Sequence, residues 1–191
     1  MTVPVLVAAL VFAPVPLRPP LRPQPPHTAA DASYGSSDRL RPQGERVRSW
    51  LRQGRLRSPT MRRLADRIET SDVIVYLDFS RRLAPNVSAC LTWMAETSTR
   101  RIVRATFRND LGINEAIALI AHELQHVVEV IEHPEVRSNQ TLLELYTRIG
   151  HPTGTNGLHW DTADAIAVGT LARLEVALPI RAASDAAREG T

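Results

Sequence analysis

Residues 119–128 contain no proline and no charge except Glu123, yet they hold two histidines, His122 and His126. Ile117, Ile120, Leu124, Val127, Val128 and Ile131 spread around the other faces at helical spacing. A helix of this pattern is covered on most sides, as in a cleft between two lobes, so the rest of the chain has to wrap it. Buried polar groups without partners cost free energy. Two imidazoles and one carboxylate on one face of such a helix therefore need a reason.

Their spacing supplies one. Residues four apart on an α-helix lie about 40° apart around its axis, one turn above the other. The imidazoles of His122 and His126 can therefore reach a single metal ion, and neutral imidazole is a preferred zinc ligand. Glu123 projects beside that ion rather than onto it, where it can take a proton from a metal-bound water. The bland reading makes both histidines satisfied core or surface residues and leaves Glu123 solvated. An intermediate reading keeps the metal and denies the catalysis.

The segment His122-Glu123-Leu124-Gln125-His126 resembles the active-site helix of the zincin superfamily of metallopeptidases. The close match covers about ten residues, and the strands-then-helix order over residues 73–178 is similar to the zincin upper lobe. The resemblance implies that His122 and His126 are Zn2+ ligands, that Glu123 is the general base, and that a third ligand arrives from downstream. It implies hydrolysis of an amide bond in a peptide or protein substrate. By the same analogy an extended peptide lies along the strand Arg101 to Arg108. No glycine and third histidine follow at the metzincin spacing, which leaves the branches whose third ligand is a Glu or Asp on a later helix.

Two residues compete for that place. Asp161 begins the final predicted helix, and Asp164 beside it is placed to orient a histidine; Glu144 sits on the preceding helix among Leu142, Leu143 and Leu145. Asp161 is preferred because it and Asp164 together supply a ligand and its support, with Glu144 as the alternative. An ordinary role for Asp161 is a helix N-cap or first-turn acid. Glu129 shares the helix face of both histidines and reads as a hydrogen-bond partner for His126. His151, His159 and Tyr146 are candidate donors to a tetrahedral oxyanion.

The remaining chain reads as an α+β domain over residues 41–180, a small antiparallel sheet followed by the histidine-bearing helix and two further helices. Residues 45–53 form a short helix ending at Gly54, and Ser58-Pro59 starts another that runs to about Thr70. Strand-like runs follow at 73–79, 87–96 and 101–108, and their short links predict an antiparallel meander. Helices are expected over 114–131, 139–149 and 160–178, Pro134 stopping the first. Aromatic residues are only 5% of the chain, so the core must be mainly aliphatic. Cys90 is the single cysteine, which excludes an intrachain disulfide, and its apolar neighbours suggest a buried, inert thiol.

All 23 basic residues are arginines, ten of them between Arg39 and Arg67. Without interleaved aromatics or a nucleic-acid motif, that stretch reads as a solvated and poorly ordered basic face, and no nucleic-acid partner is expected. Residues 1–40 are an apolar run, Val3 to Ala13, then a proline-rich linker; residues 181–191 form a tail with no assigned structure. The run has the length of a signal-peptide core, so an exported or membrane-tethered protein is favoured over a cytoplasmic one. The rival functions are a non-catalytic or degenerate zincin-like domain that senses or binds, and a tethered protein working through its arginine-rich region.

Overall fold

The computed structural model describes residues 39–80, 83, 87–153 and 159–178. The N-terminal apolar run, the proline-rich linker and the tail lie outside the described residues, among which no helix is long and apolar enough to cross a membrane.

The described chain is α+β. Its elements run β1 (Leu40–Pro42), α1 (Glu45–Arg57), α2 (Pro59–Glu69), β2 (Val73–Ser80), β3 (Ala89–Glu96), β4 (Arg101–Arg108), α3 (Ile113–Glu132), α4 (Asn139–Ile149), β5 (His151–Thr153), β6 (His159–Asp161) and α5 (Ala163–Ala177). The arginine-rich stretch is thus built into β1, α1 and α2 rather than left poorly ordered. Arg46 lies over the Trp50 and Phe79 rings, and Arg57 donates to the Val176 carbonyl. Gly54 does not end α1 but lies inside it: a Cβ there would overlap the Met61 sulfur and come within 3.1 Å of Ile117. Absence of a side chain lets α1 lie close to α2 and α3.

The sheet departs from the expected meander. Its order is β1-β2-β4-β3, with β1 and β2 parallel, β2 and β4 parallel, and only β3 and β4 antiparallel. After β2 the chain passes to the far edge for β3, then returns through a tight turn in which Thr97 N–H donates to the Arg100 carbonyl. β4 thus fills the gap between β2 and β3. Arg101 to Arg108 is therefore paired on both sides and cannot receive a peptide strand; the edges are the three-residue β1 and the longer β3.

Strict alternation along β4 turns Val103, Ala105 and Phe107 inward, all at 0% exposure. They meet Val75, Leu77 and Leu91 from the sheet and Ile117, Ile120, Ala121 and Leu124 from α3 in one aliphatic core. Each valine, leucine, isoleucine or phenylalanine among them contributes about 1.5–3 kcal/mol by burial. Cys90 is buried, and burial pushes its thiol up to about 12.

Arg101, 2% exposed, fixes how α3 meets the sheet. It forms a two-toothed ion pair with Asp72 at 2.7 and 2.8 Å and donates to the Val130 and His133 carbonyls at 2.6 and 2.9 Å, closing the C-terminus of α3. Arg101→Met should cost about 2–4 kcal/mol, because those carbonyls and the carboxylate lose their donor together. The hydrogen bond from Arg101 is the main cause that holds the Asp72 carboxyl below its ordinary value. The contribution is therefore complete above about pH 4 and is lost as pH falls through the lower folded-state value. Thermal denaturation at acidic pH checks this: Asp72→Asn should flatten the acid limb that wild type shows.

Candidate metal centre

The twenty residues of α3 carry His122, Glu123, His126 and Glu129 on the side that faces β6 and the start of α5. Asp161 ends β6 and brings one carboxylate oxygen, Oδ1, to 3.3 Å from His122 Nε2 and 3.5 Å from His126 Nε2. The three donor atoms all lie within 4.8 Å of one another. A tetrahedral zinc with bonds of about 2.0–2.1 Å separates its donors by roughly 3.3 Å. The two separations to Asp161 have that length, so in number and type the three donors could hold an ion.

The far side of the His126 ring is occupied. His126 Nδ1 lies 2.8 Å from Glu129 Oε2, an acceptor, so Nδ1 carries a proton, while Nε2 faces Asp161 Oδ1 at 3.5 Å. Burial, then the charge of His126, hold the His122 pKa below the ordinary value, against Asp161, Glu129 and the nearby Ala165 backbone, which raise it. Burial also pushes His126 down, but its hydrogen bonds to Asp161 and Glu129 and the charges of Glu123 and Glu129 outweigh that and raise it to about 10. Asp161 is pushed up by burial and held lower, on balance, by His126 and His122. Three carboxyl groups around two buried rings demand positive charge, which a proton on His126 or a cation between the Nε2 atoms can supply.

Glu123 is 3% exposed, and its Oε2 has no hydrogen-bond partner. Burial, helped by Asp161 and Glu129 and opposed by His126, raises its carboxyl to about 7. It lines a cavity of about 270 Å³ with His122, His126, Asp161, Leu119, Ala89 and Trp160. His159 lines the same cavity, and burial lowers its pKa.

The other sequence candidates fall elsewhere. Glu144 is exposed and accepts from Gln140, so the alternative third ligand is not at the site. Asp164 is exposed in the first turn of α5 and makes no ion pair with a histidine; Glu129 holds His126 instead. His151 is exposed on β5 and does not line the cavity. Tyr146 is buried against the edge of the His126 ring, its hydroxyl donating to the His126 carbonyl at 3.2 Å, so it faces the helix rather than the cavity. His159 is the one proposed oxyanion donor that borders the cavity.

Two residues escaped the sequence reading. Thr162 is the N-cap of α5: its hydroxyl accepts from Ala165 N–H at 3.1 Å and donates to Glu129 Oε1 at 2.6 Å. Because Thr162 takes the cap, Asp161 is left to point at the histidines; the run Asp161-Thr162-Ala163-Asp164 carries that signal, since either of the first two can cap. Gly169 lets α5 rest on α3, where a Cβ would come 3.2 Å from His122 Cβ and 3.4 Å from the Ala118 carbonyl.

Comparison with protein-family models, curated proteins and solved structures finds no match to this chain.

Thr162→Val should cost about 1 kcal/mol of stability through the cap, and any zinc held by the cluster should bind about 10–100-fold more weakly, because Glu129 loses the donor that orients it on His126. Thr162→Ser should restore both. Competition against a chromogenic chelator and thermal melts give the two readouts.

Proposed function

We propose that this chain is a zinc-dependent hydrolase of the zincin type that cleaves peptide bonds. One observation carries the reading: His122, His126 and Asp161 converge on one point beside a buried carboxylate, Glu123, that has a free oxygen. A purely structural cluster has no use for that oxygen, because burying it unpaired costs free energy.

His122, His126 and Asp161 would hold the ion. Bound zinc supplies a Lewis acid that polarises a carbonyl and acidifies water. Glu123, with its carboxyl raised to about 7, is matched to proton transfer near neutrality. It takes a proton from the attacking water as the oxygen bonds to the carbonyl carbon, then gives that proton to the amine nitrogen as the C–N bond breaks. His159, at the cavity wall, is the side chain we assign to donate to the developing oxyanion. The substrate strand belongs beside β3, a sheet edge, since Ala89 at its start lines the cavity and its outer side is unpaired among the described strands. The apolar run at residues 3–13 suits export or tethering of such an enzyme.

Glu123→Gln tests the reading. The variant should bind zinc with wild-type stoichiometry and lose at least about 100-fold in kcat/KM on a pool of internally quenched peptides. A Glu123→Gln variant as active as wild type removes the general base. A zinc-loaded wild type that cleaves nothing in the pool points instead to a metal-binding domain without catalysis.

A further inference from the structure

The arginines of α1 and α2 bring more positive charge to the fold than it cancels. Residues 39–70 hold ten arginines against three acids, Glu45, Asp66 and Glu69, a surplus of seven in a chain whose net charge is +3. The rest of the chain is therefore acidic on balance. Arg48 pairs with Glu45, and Arg55 with Asp66 and Glu69, which uses all three acids. Arg39, Arg46, Arg57, Arg62 and Arg63 donate instead to neutral carbonyl or hydroxyl oxygens, contacts that fix the side chains and leave their charge in place. Arg52 and Arg67 are exposed and make no hydrogen bond or ion pair among the described residues.

Helix period gathers these charges on the outside. Arg48, Arg52 and Leu56 recur every four residues on a side of α1 turned away from buried Val47, Trp50, Leu51 and Gly54, and all three are exposed. Arg62 joins α2 to that stripe by donating to the Arg55 and Leu56 carbonyls, and exposed Arg63 and Arg67 follow along α2. Leu56, 60% exposed, stands among these cations. Trp50 is the one aromatic residue of the two helices and is buried, so no ring is offered for base stacking. Arginines around an exposed leucine on an amphipathic helix suit the interface of an anionic bilayer, where the cations meet phosphate and the leucine enters the acyl boundary. The sequence holds a second apolar element, the run Val3 to Ala13. Residues 14–38 can span at most roughly 90 Å, so the run and the basic face can meet one surface together.

We propose that the arginine-rich outer face of α1 and α2 seats this protein on an anionic phospholipid surface, with the apolar run at residues 3–13 as a second anchor. Two weak attachments of this kind give stable membrane binding where either alone is marginal. The face stands apart from the metal centre, whose cavity takes no lining residue from α1 or α2.

Flotation of the full chain with vesicles tests this. At about 0.1 M salt, partition onto phosphatidylcholine vesicles with about one-third phosphatidylglycerol should exceed partition onto phosphatidylcholine alone by at least about tenfold, and the excess should vanish near ~1 M salt. Arg52→Glu combined with Arg67→Glu should remove most of that excess with an unchanged circular dichroism spectrum, since each arginine near such a surface contributes about fivefold. Arg137→Glu combined with Arg148→Glu, exposed residues outside both helices, makes the same change in net charge and should leave most of the excess. Equal partition of wild type onto the two vesicles overturns the proposal and leaves the apolar run as the sole anchor. An excess that both pairs of reversals remove equally overturns it as an effect of net charge. Labelled duplex DNA bound more tightly than the anionic vesicles overturns it in favour of a nucleic-acid partner.

Discussion

Glu129 accepts a hydrogen bond from the His126 ring with one carboxylate oxygen and from the Thr162 hydroxyl with the other. A single buried side chain thereby sets the orientation of a ring on α3 and the point at which α5 begins. Asp161 precedes Thr162 directly, so its position beside both histidines follows from the same contact. Gly169 completes the fit by letting α5 lie on α3 at the level of His122. The donor set is thus not three residues placed independently. Two come from one helix by its period, and the third is delivered by the capping of another.

The sheet acts on the other side of α3. Arg101 grips the C-terminal carbonyls of that helix while pairing with Asp72, so the helix end and the start of the inner strands β2 and β4 are one unit. The core residues of β2, β3 and β4 then cover the apolar face of α3 and leave its polar face toward the cavity. Placing Arg104 and Thr106 on the opposite side of β4 keeps charge out of that contact.

What could be read in the sequence follows from how local each signal is. The helix over residues 113–132 was legible because twenty residues of one period outweigh any local preference, and with it came the mutual placement of His122, Glu123 and His126. Strands 73–80, 89–96 and 101–108 were legible as strands from their composition and alternation, but not their order: whether β4 pairs beside β2 is decided by long-range packing, and short links suit a meander equally well. The three-residue strands β5 and β6 carry too little pattern to be seen, so the final helix was started at Trp160 instead of Ala163. Glu144 and Asp161 could not be separated by distance along the chain alone. Glu144 turns to solvent because Leu142, Leu145 and Tyr146 claim the inner face of α4. The placement of Tyr146 has the same cause: a phenol on that inner face packs on His126 rather than entering the cavity.

The account stands on the convergence of His122, His126 and Asp161 on one ion, and its most direct test is the zinc content of the purified protein by elemental analysis. Wild type and Glu144→Ala should each hold about one equivalent per chain, while His126→Ala and Asp161→Ala, purified alongside without chelators, should hold little. Equal zinc in all four, or negligible zinc in wild type after incubation with the metal, would mean that these residues form a hydrogen-bonded charge cluster and that no metal centre exists here.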